Sequence, residues 1–274
     1  MTYPVFIFFR ALLYLGIAVA LLTGCQASRP AGPAASTTSP LTTADSTDRA
    51  KAIIREAVRA AGLEDMDNQT VSFRFRDKHY RYRQQDGHYT YERWWTDTLT
   101  DDRIRDVLNN NGLTRYVNDQ TVELTEKQQK AYGNSVNSVI YFAFIPWALL
   151  DPAVRPTYLG RDTIGGELLD LIHVGFATEN GGDDSDDEFL YWFTPDGRQL
   201  KYLAYTHPGG KSPRLREAYN ERRANGITVR DYRNFATPGN TPLAVDRLAT
   251  AYRRGELVLL SLIDLEEVRV EINE

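Results

Sequence analysis

The sequence predicts an α+β fold built on one large antiparallel sheet. Runs in which polar and apolar residues alternate, separated by turn residues, indicate many short strands. A helical repeat at 47–63 precedes these runs, and an apolar helical segment within 126–150 divides them into two groups. Strands that follow one another in groups, with helices outside those groups, are typical of α+β proteins.

Residues 1–24 have the composition of a cleavable signal sequence. Arg10 precedes the apolar run 11–22, which is too short to span a bilayer core of about 30 Å as a helix. The run ends in Leu22-Thr23-Gly24-Cys25, which resembles the bacterial lipobox. In a lipobox the chain is cut before the cysteine, and its thiol receives fatty acyl chains such as palmitate. Because Cys25 is the one cysteine of the chain, we expect a lipid-anchored protein without an intrachain disulfide.

Residues 25–46 are predicted to be the lipidated amino terminus and a flexible linker. The segment is rich in Pro, Ala, Ser and Thr and has no apolar period, so it buries too little surface to fold. The residue after Cys25 is Gln26 and not an acidic residue, which favours delivery of the lipoprotein to the outer membrane. No acidic cluster follows Cys25, so we expect the protein to face the periplasm. The formal net charge of −5 gives no basic face for nucleic acid. Residues 47–274 suffice for a single domain, and we expect a monomer.

Within 47–274, apolar periodicity predicts each element in turn. The first is a helix at 47–63, with Thr47 or Asp48 as its N-cap, Gly62 at its end, and one apolar face formed by Ile53, Ile54, Ala57, Val58 and Ala61. Strands are predicted at 71–76, 80–82, 89–95, 103–108, 113–117, 121–124, 168–178, 188–194, 199–207, 214–221 and 226–235. A helix at 242–254 and a closing strand pair or helix-to-strand passage at 257–272 complete the chain.

The apolar segment 139–150 bears most directly on function. It is apolar on every side, so it must be enclosed, and Pro146 should kink or end the helix that starts at Glu126. One interpretation is a ligand cavity, whose lining would be the segment's Phe142, Phe144, Trp147 and Leu150 and the strand residues Phe189, Tyr191, Phe193, Tyr202 and Tyr205. The alternative is a permanently packed core helix.

Two charged segments are candidate polar sites. Arg214 and Arg216 lie on one face of a predicted strand, and guanidinium groups bind phosphate or carboxylate head groups through paired hydrogen bonds. Cross-strand ion pairs on a wet face are the alternative. The other segment concentrates carboxylate oxygens, which suit Ca²⁺, although its spacing departs from the EF-hand pattern. Its candidate metal ligands are Asp183, Asp184, Asp186 and Glu188, and a solvated hairpin loop is the alternative.

The stretch from Asn134 to Tyr232 resembles a known family. Motifs such as Asp151-Pro-Ala-Val, Tyr202-Leu-Ala-Tyr and Asp231-Tyr-Arg-Asn are similar to those of an uncharacterised family of Bacteroidota lipoproteins, over most of residues 50–272. The element order also resembles that of the lipoprotein carrier and receptor proteins of the outer-membrane sorting pathway. This resemblance implies a large curved antiparallel sheet, an unclosed half-barrel, with helices packed on its concave face, where acyl chains are received.

We therefore favour a membrane-anchored periplasmic protein that binds an apolar or amphipathic ligand, such as an acyl chain, without catalysis and without a cofactor. The sequence has no HExxH, GxSxG, GxxxxGK[ST], GxGxxG or CxxC motif. A periplasmic carbohydrate-active enzyme remains an alternative, and it would need a polar cleft with two inward carboxylates. A structural or interaction module of the envelope, clamped by Ca²⁺ at 183–188, is the third hypothesis.

Overall fold

The computed structural model describes residues 42–177 and 186–273, which fall into one compact unit. The predicted signal sequence, Cys25 and the linker up to residue 41 lie outside these ranges, as do Asp183 and Asp184. In the two described ranges, no helix is both long enough and apolar enough to cross a membrane.

The described residues contain three α-helices and fourteen strands. The helices are α1 (Thr43–Ala61), α2 (Glu126–Ala143) and α3 (Val245–Arg253). The strands are β1 (Gln69–Phe75), β2 (Lys78–Gln85), β3 (His88–Thr96), β4 (Arg103–Asn109), β5 (Gly112–Val117), β6 (Gln120–Val122), β7 (Val154–Ile164), β8 (Glu167–Phe176), β9 (Glu188–Phe193), β10 (Leu200–His207), β11 (Lys211–Ala224), β12 (Ile227–Ala236), β13 (Val258–Ile263) and β14 (Glu266–Ile272).

The strands form two open sheets of seven strands each. Sheet A has the order β14-β1-β2-β3-β4-β5-β6, and sheet B has the order β13-β12-β11-β10-β9-β8-β7. Neighbouring strands are antiparallel in both, as in the pairs β1–β14 and β12–β13. The predicted α+β class, with open antiparallel sheets and covering helices, is confirmed. The prediction of one large sheet differs from the structure, in which the strands form two separate hydrogen-bonded sheets. The consecutive strands β13 and β14 pair in different sheets.

Helix α1 has the predicted apolar face but begins earlier than predicted. Thr42 caps it in a capping box with Asp45, whose backbone N–H donates to the Thr42 hydroxyl at 3.1 Å. The buried face includes Ile53, Ile54, Ala57, Val58 and Ala61, as expected. Gly62 ends the helix with φ 71°, in the left-handed region that favours glycine. The linker therefore ends before residue 43 and not at residue 46.

Helix α2 is shorter than predicted. It ends at Ala143, and a short 3₁₀ turn at Trp147–Leu150 follows after a cis bond between Ile145 and Pro146. Proline has no backbone N–H to donate, so the α-helix cannot continue through Pro146. The segment 139–150 is therefore a helix end followed by a turn, and its two parts face different neighbours.

The two faces of sheet B pack against different partners. In β9, Phe189, Tyr191 and Phe193 belong to a core that also includes residues of α1, sheet A and the end of α2. Leu190 and Trp192 alternate with them and join a second core with Leu248 of α3. Because successive strand residues point to opposite faces, α3 covers the face of sheet B that is turned away from α2.

Candidate functional site

A cavity of about 950 Å³ lies between the end of α2 and both sheets. The segment 139–143, Trp147 and Ala148 form one wall. Aromatic side chains from both sheets form others: Phe75, Tyr89 and Tyr91 from sheet A, and Phe176, Phe189, Tyr205 and Tyr232 from sheet B. The volume is near the upper end of the range of roughly 300–1,000 Å³ that is usual for small-molecule sites. A cavity at this segment was one of the two interpretations that the sequence left open, the other being a permanently packed core helix.

Six of the residues predicted to bind a ligand line this cavity: Phe142, Trp147, Leu150, Phe189, Tyr205 and Arg216. The Phe142 ring lies 5.3 Å from the Tyr205 ring, centroid to centroid. Trp147 meets the buried Tyr82 ring edge-on at 5.4 Å. These contacts join the end of α2 to sheet B and the following turn to sheet A. Ligand binding by these residues stays a prediction.

Three further predicted residues lie in the core and not on the cavity wall. Phe144 is turned towards sheet A, with its ring 5.1 Å from that of Tyr82. Tyr191 is fully buried, and its hydroxyl lies 3.1 Å from that of Tyr141. Phe193 is also fully buried. Burial raises the pKa of Tyr191 well above its usual value, so this hydroxyl keeps its proton throughout the physiological pH range.

The predictions for Tyr202 and Arg214 need correction. Tyr202 points to the other face of sheet B, where its ring lies 5.8 Å from that of Tyr252 in α3. Tyr202 and Tyr205 are three positions apart, and strand alternation places residues an odd number of positions apart on opposite faces. The Arg214 guanidinium donates to Asn240 Oδ1 at 2.6 Å and to the Pro213 carbonyl at 2.9 Å. It is therefore used within the fold, and it does not line the cavity.

Arg216 is the most unusual residue of the cavity wall. Its guanidinium lies 3.8 Å from the centroid of the Phe142 ring, and Nη2 donates to the Tyr205 hydroxyl at 3.0 Å. The residue is 8% exposed, and its Nε is buried without a hydrogen-bond partner. Within the described ranges, no carboxylate forms an ion pair with it. An uncompensated charge in such a place is costly unless a partner arrives.

A second buried arginine lies close to the first. Arg230 donates from Nε to Glu221 Oε2 at 2.8 Å and from Nη1 to the Ile145 carbonyl at 3.4 Å. Burial raises the pKa of Tyr232, and the positive charges of Arg230 and Arg216 oppose that rise. Both guanidinium charges therefore act on the sheet B side of the cavity. Sequence reasoning missed Arg230, although it lies in a predicted strand, because Val229 and Arg230 are both buried and hide the alternation.

Two carboxylates of the lining, Asp67 and Asp151, act on the sheet A side of the cavity, opposite the two arginines. Burial raises the pKa of Tyr91 in sheet A, and the negative charges of Asp151 and Asp67 add to that rise. Asp187 lies on the sheet B side, but His207 Nδ1 is 2.8 Å from its Oδ2. The cavity is thus polarised, with unpaired positive charge at Arg216 and negative charge near Tyr91.

The structure describes only part of the predicted Ca²⁺ site. Asp183 and Asp184 lie outside the described residues, and Asp186 is exposed. Glu188 Oε2 lies 3.1 Å from His173 Nε2, which indicates a different partner for that carboxylate. No group of three or more His, Cys, Asp or Glu residues suited to a metal occurs in 42–177 or 186–273. Calcium binding at 183–188 stays a prediction.

The hypothesis of a glycan-cleaving enzyme required two inward carboxylates free to act as acid and base. Among the described buried carboxylates, Asp106, Asp170 and Asp231 each form ion pairs with arginine. The fourth, Asp187, contacts His207. A second cavity, of about 610 Å³, is lined by Asp231 beside Arg222, and its walls are mostly polar residues of β11 and of the turn before β14.

Residues 39–265 match a family model described as a family of unknown function, DUF6503. The chain belongs to this family. The resemblance to an uncharacterised family is confirmed to that extent, while the Bacteroidota origin and the lipid anchor stay predictions. No protein with a curated description matches the chain.

Several solved structures are similar to this chain. A LolA superfamily protein from Nitrosomonas europaea has 12% identity and a TM-score of 0.45, over 80% of this chain and 92% of that one. A domain described as an outer membrane lipoprotein-sorting protein, from Vibrio parahaemolyticus, has 7% identity and a TM-score of 0.46, over 82% and 93%. Similarity at this level has no bearing on the function of this chain.

Proposed function

We propose that this chain is an envelope lipoprotein of Bacteroidota, cut before Cys25 and acylated on that residue. The segment between Cys25 and α1 serves as a flexible linker at the periplasmic face of the outer membrane. Residues 43–273 act there as a monomer that binds an apolar or amphipathic ligand, such as an acyl chain. The binding is non-catalytic.

The cavity beside α2 is the observation that carries this proposal. It is a cleft of about 950 Å³ that is partly open to solvent and lies between aromatic side chains of both sheets, and its volume is in the range usual for small-molecule sites. Apolar surface that leaves water contributes about 25 cal/mol per Å² of stabilisation. A ligand with an apolar chain therefore gains most from this cavity, and Phe142, Trp147 and Tyr205 are the side chains that it would cover.

Native mass spectrometry of protein purified from membranes in a mild detergent tests ligand binding. We expect adduct masses on the wild-type protein that extraction with organic solvent removes. Ala148→Trp places a large ring in the cavity and should abolish the adducts. Ala131→Trp is the matched control, because Ala131 is exposed on α2 and lies outside the lining. Wild-type protein that has no adduct and does not bind added dodecanol would count against the proposal.

Metabolic labelling with radioactive palmitate tests the anchor separately. Wild-type protein should carry the label and sediment with the outer membrane. Cys25→Ser removes the thiol that receives the acyl chains, so this variant should carry no label and should keep its signal sequence. Equal labelling of both proteins would show that Cys25 is not the acylated residue.

A further inference from the structure

We infer that the ligand of this cavity is an amphiphile with an anionic head group, and that Arg216 binds that head group. The inference rests on the proposed ligand-binding function and adds the chemical class of the ligand. A neutral wax, alcohol or sterol would fill the apolar walls equally well, so the distinction depends on the charged residues of the lining.

Arg216 is held in place by residues that leave its charge uncompensated. The Phe142 ring supports one side of the guanidinium at 3.8 Å, and the Tyr205 hydroxyl accepts from Nη2 at 3.0 Å. Neither contact supplies a negative charge. The buried Nε has no partner. A carboxylate or a phosphate accepts two parallel hydrogen bonds from such a guanidinium, and it would remove the unpaired donor and the unpaired charge together.

The other basic side chains of the lining already have partners. Arg230 donates to Glu221 and to the Ile145 carbonyl, and His207 contacts Asp187. Of the basic lining side chains that the structure describes, this leaves Arg216 for the ligand. The carboxylates Asp67 and Asp151 act on Tyr91, on the sheet A side. Like charges repel, so an anionic head group is disfavoured there, and the apolar chain is left to the aromatic walls.

Three ligands that share a twelve-carbon chain test the inference: dodecanoate, dodecyl phosphate and dodecanol. The full-length lipoprotein is reconstituted in phosphatidylcholine nanodiscs, and binding of each radiolabelled ligand is measured as the excess over empty nanodiscs. We expect at least one anionic ligand to bind about tenfold or more tightly than dodecanol, the factor typical of a charge-assisted hydrogen bond. The preferred anion distinguishes a carboxylate from a phosphate.

Arg216→Met keeps an apolar stem of similar length beside Phe142 and should remove this preference while dodecanol still binds. Arg214→Met is the matched control. It removes a positive charge from the same strand, two positions before Arg216, and the Arg214 guanidinium does not line the cavity. Arg216→Lys keeps the charge and lacks Nε, so an intermediate preference is expected. Its dodecanol binding provides a second check that the fold is intact.

Two results would overturn the inference and leave the proposed function standing. One is equal affinity of the wild-type protein for dodecanol and for both anions. The other is a preference for anions that is undiminished in both Arg216 variants. Failure of the wild-type protein to bind any of the three ligands would overturn the inference and the proposed function together.

Discussion

Asp106→Asn should strongly destabilise the packing of α2 on sheet A. Asp106 in β4 is fully buried and accepts hydrogen bonds from two arginines. Arg93 in β3 donates from Nε at 3.1 Å and from Nη2 at 2.5 Å, and Arg115 in β5 donates from Nε at 2.7 Å and from Nη2 at 3.0 Å. Arg93 Nη1 also donates to the Ser135 hydroxyl of α2 at 2.8 Å. One carboxylate therefore orients three strands and the helix that lines the cavity.

The magnitude follows from what the substitution leaves behind. The side chains of Arg93 and Arg115 are 7% and 14% exposed, so neither guanidinium can recover full hydration. Removing one member of a buried ion pair costs about 3–5 kcal/mol. Asparagine retains one acceptor oxygen, which places Asp106→Asn near the lower figure. With a urea dependence of about 3 kcal/mol per M, this corresponds to a midpoint lower by about 1 M.

Urea unfolding followed by far-ultraviolet circular dichroism measures this change. Asp119→Asn is the matched control, because Asp119 and Arg103 form an ion pair at 2.7 Å in which both side chains are about 70% exposed. Exposed pairs contribute about 0–1 kcal/mol, so its midpoint should hardly move. The reasoning is refuted if Asp106→Asn costs no more than Asp119→Asn, since the buried cluster would then contribute no more than a surface pair.

Three further predictions concern other parts of the fold. Gly165→Ala should lower the melting temperature, because Gly165 has φ 59° and a Cβ there would overlap the Tyr202 hydroxyl; the left-handed conformation alone costs about 1–2 kcal/mol, and an unchanged melting curve would contradict this. Leu248→Ala should cost about 2–5 kcal/mol in urea unfolding, because Leu248 of α3 is fully buried against sheet B. It should leave dodecanol binding unchanged, since α3 lies on the face of sheet B away from the cavity. The hydrogen bond that Tyr219 donates to Asp264, together with burial, raises the pKa of Tyr219 to about 12. A folded-state pKa above the unfolded value near 10 stabilises the fold fully below pH 10 and loses that effect as pH rises to about 12. Tyr219→Phe should therefore lessen the fall in unfolding free energy across this window, and an identical pH profile would show that the contact is absent in solution.

Most elements of the fold could be predicted because their apolar periods are local. The apolar face of α1 and most strands of both sheets follow from spacing alone. Strand β7 was missed. A register irregularity between Tyr158 and Gly160 interrupts its alternation, and Arg161 and Asp162 make its second half resemble a loop. The bulge is visible only when β8 is placed beside it.

The separation into two sheets could not be read from the sequence, because long-range contacts fix it. Between β13 and β14, Asp264 accepts from Tyr219, and the backbone N–H of Leu265 donates to Asp231 Oδ1 at 2.9 Å. Both partners come from β11 and β12, far away in the chain. These contacts hold the passage from sheet B to sheet A, whereas the apolar pattern of 257–272 predicts only a strand pair or a helix-to-strand passage.

The prediction of cavity residues succeeded where the position of an aromatic residue in its helix, turn or strand turns it towards the cavity. It failed where a residue was chosen only because it is aromatic. Phe142, Trp147 and Tyr205 combine an aromatic ring with a position that the fold turns towards the cavity. Tyr202 was chosen for its aromatic ring alone, although its spacing from Tyr205 already indicates the opposite face. The sheet A wall was not predicted, because no local pattern indicates that Tyr89 and Tyr91 face the end of α2.

The stability of Arg216→Met without ligand separates a structural role of Arg216 from a role in binding. If the fold needed Arg216, its loss would destabilise the protein, since the contacts with Phe142 and Tyr205 would go. Those two contacts are neutral partners of a buried charge, and replacing buried charged groups with apolar side chains of similar size is often neutral or stabilising by about 1–4 kcal/mol. We therefore expect the variant without bound ligand to unfold at the same urea concentration as the wild-type protein without bound ligand, or at a higher one. A midpoint lower by about 0.5 M or more would make Arg216 a structural residue. An unchanged or raised midpoint, together with a lost preference for anions, would assign Arg216 to ligand binding. A raised midpoint would also mean that the wild-type protein gives up stability to keep a charge for its ligand, as functional sites commonly do.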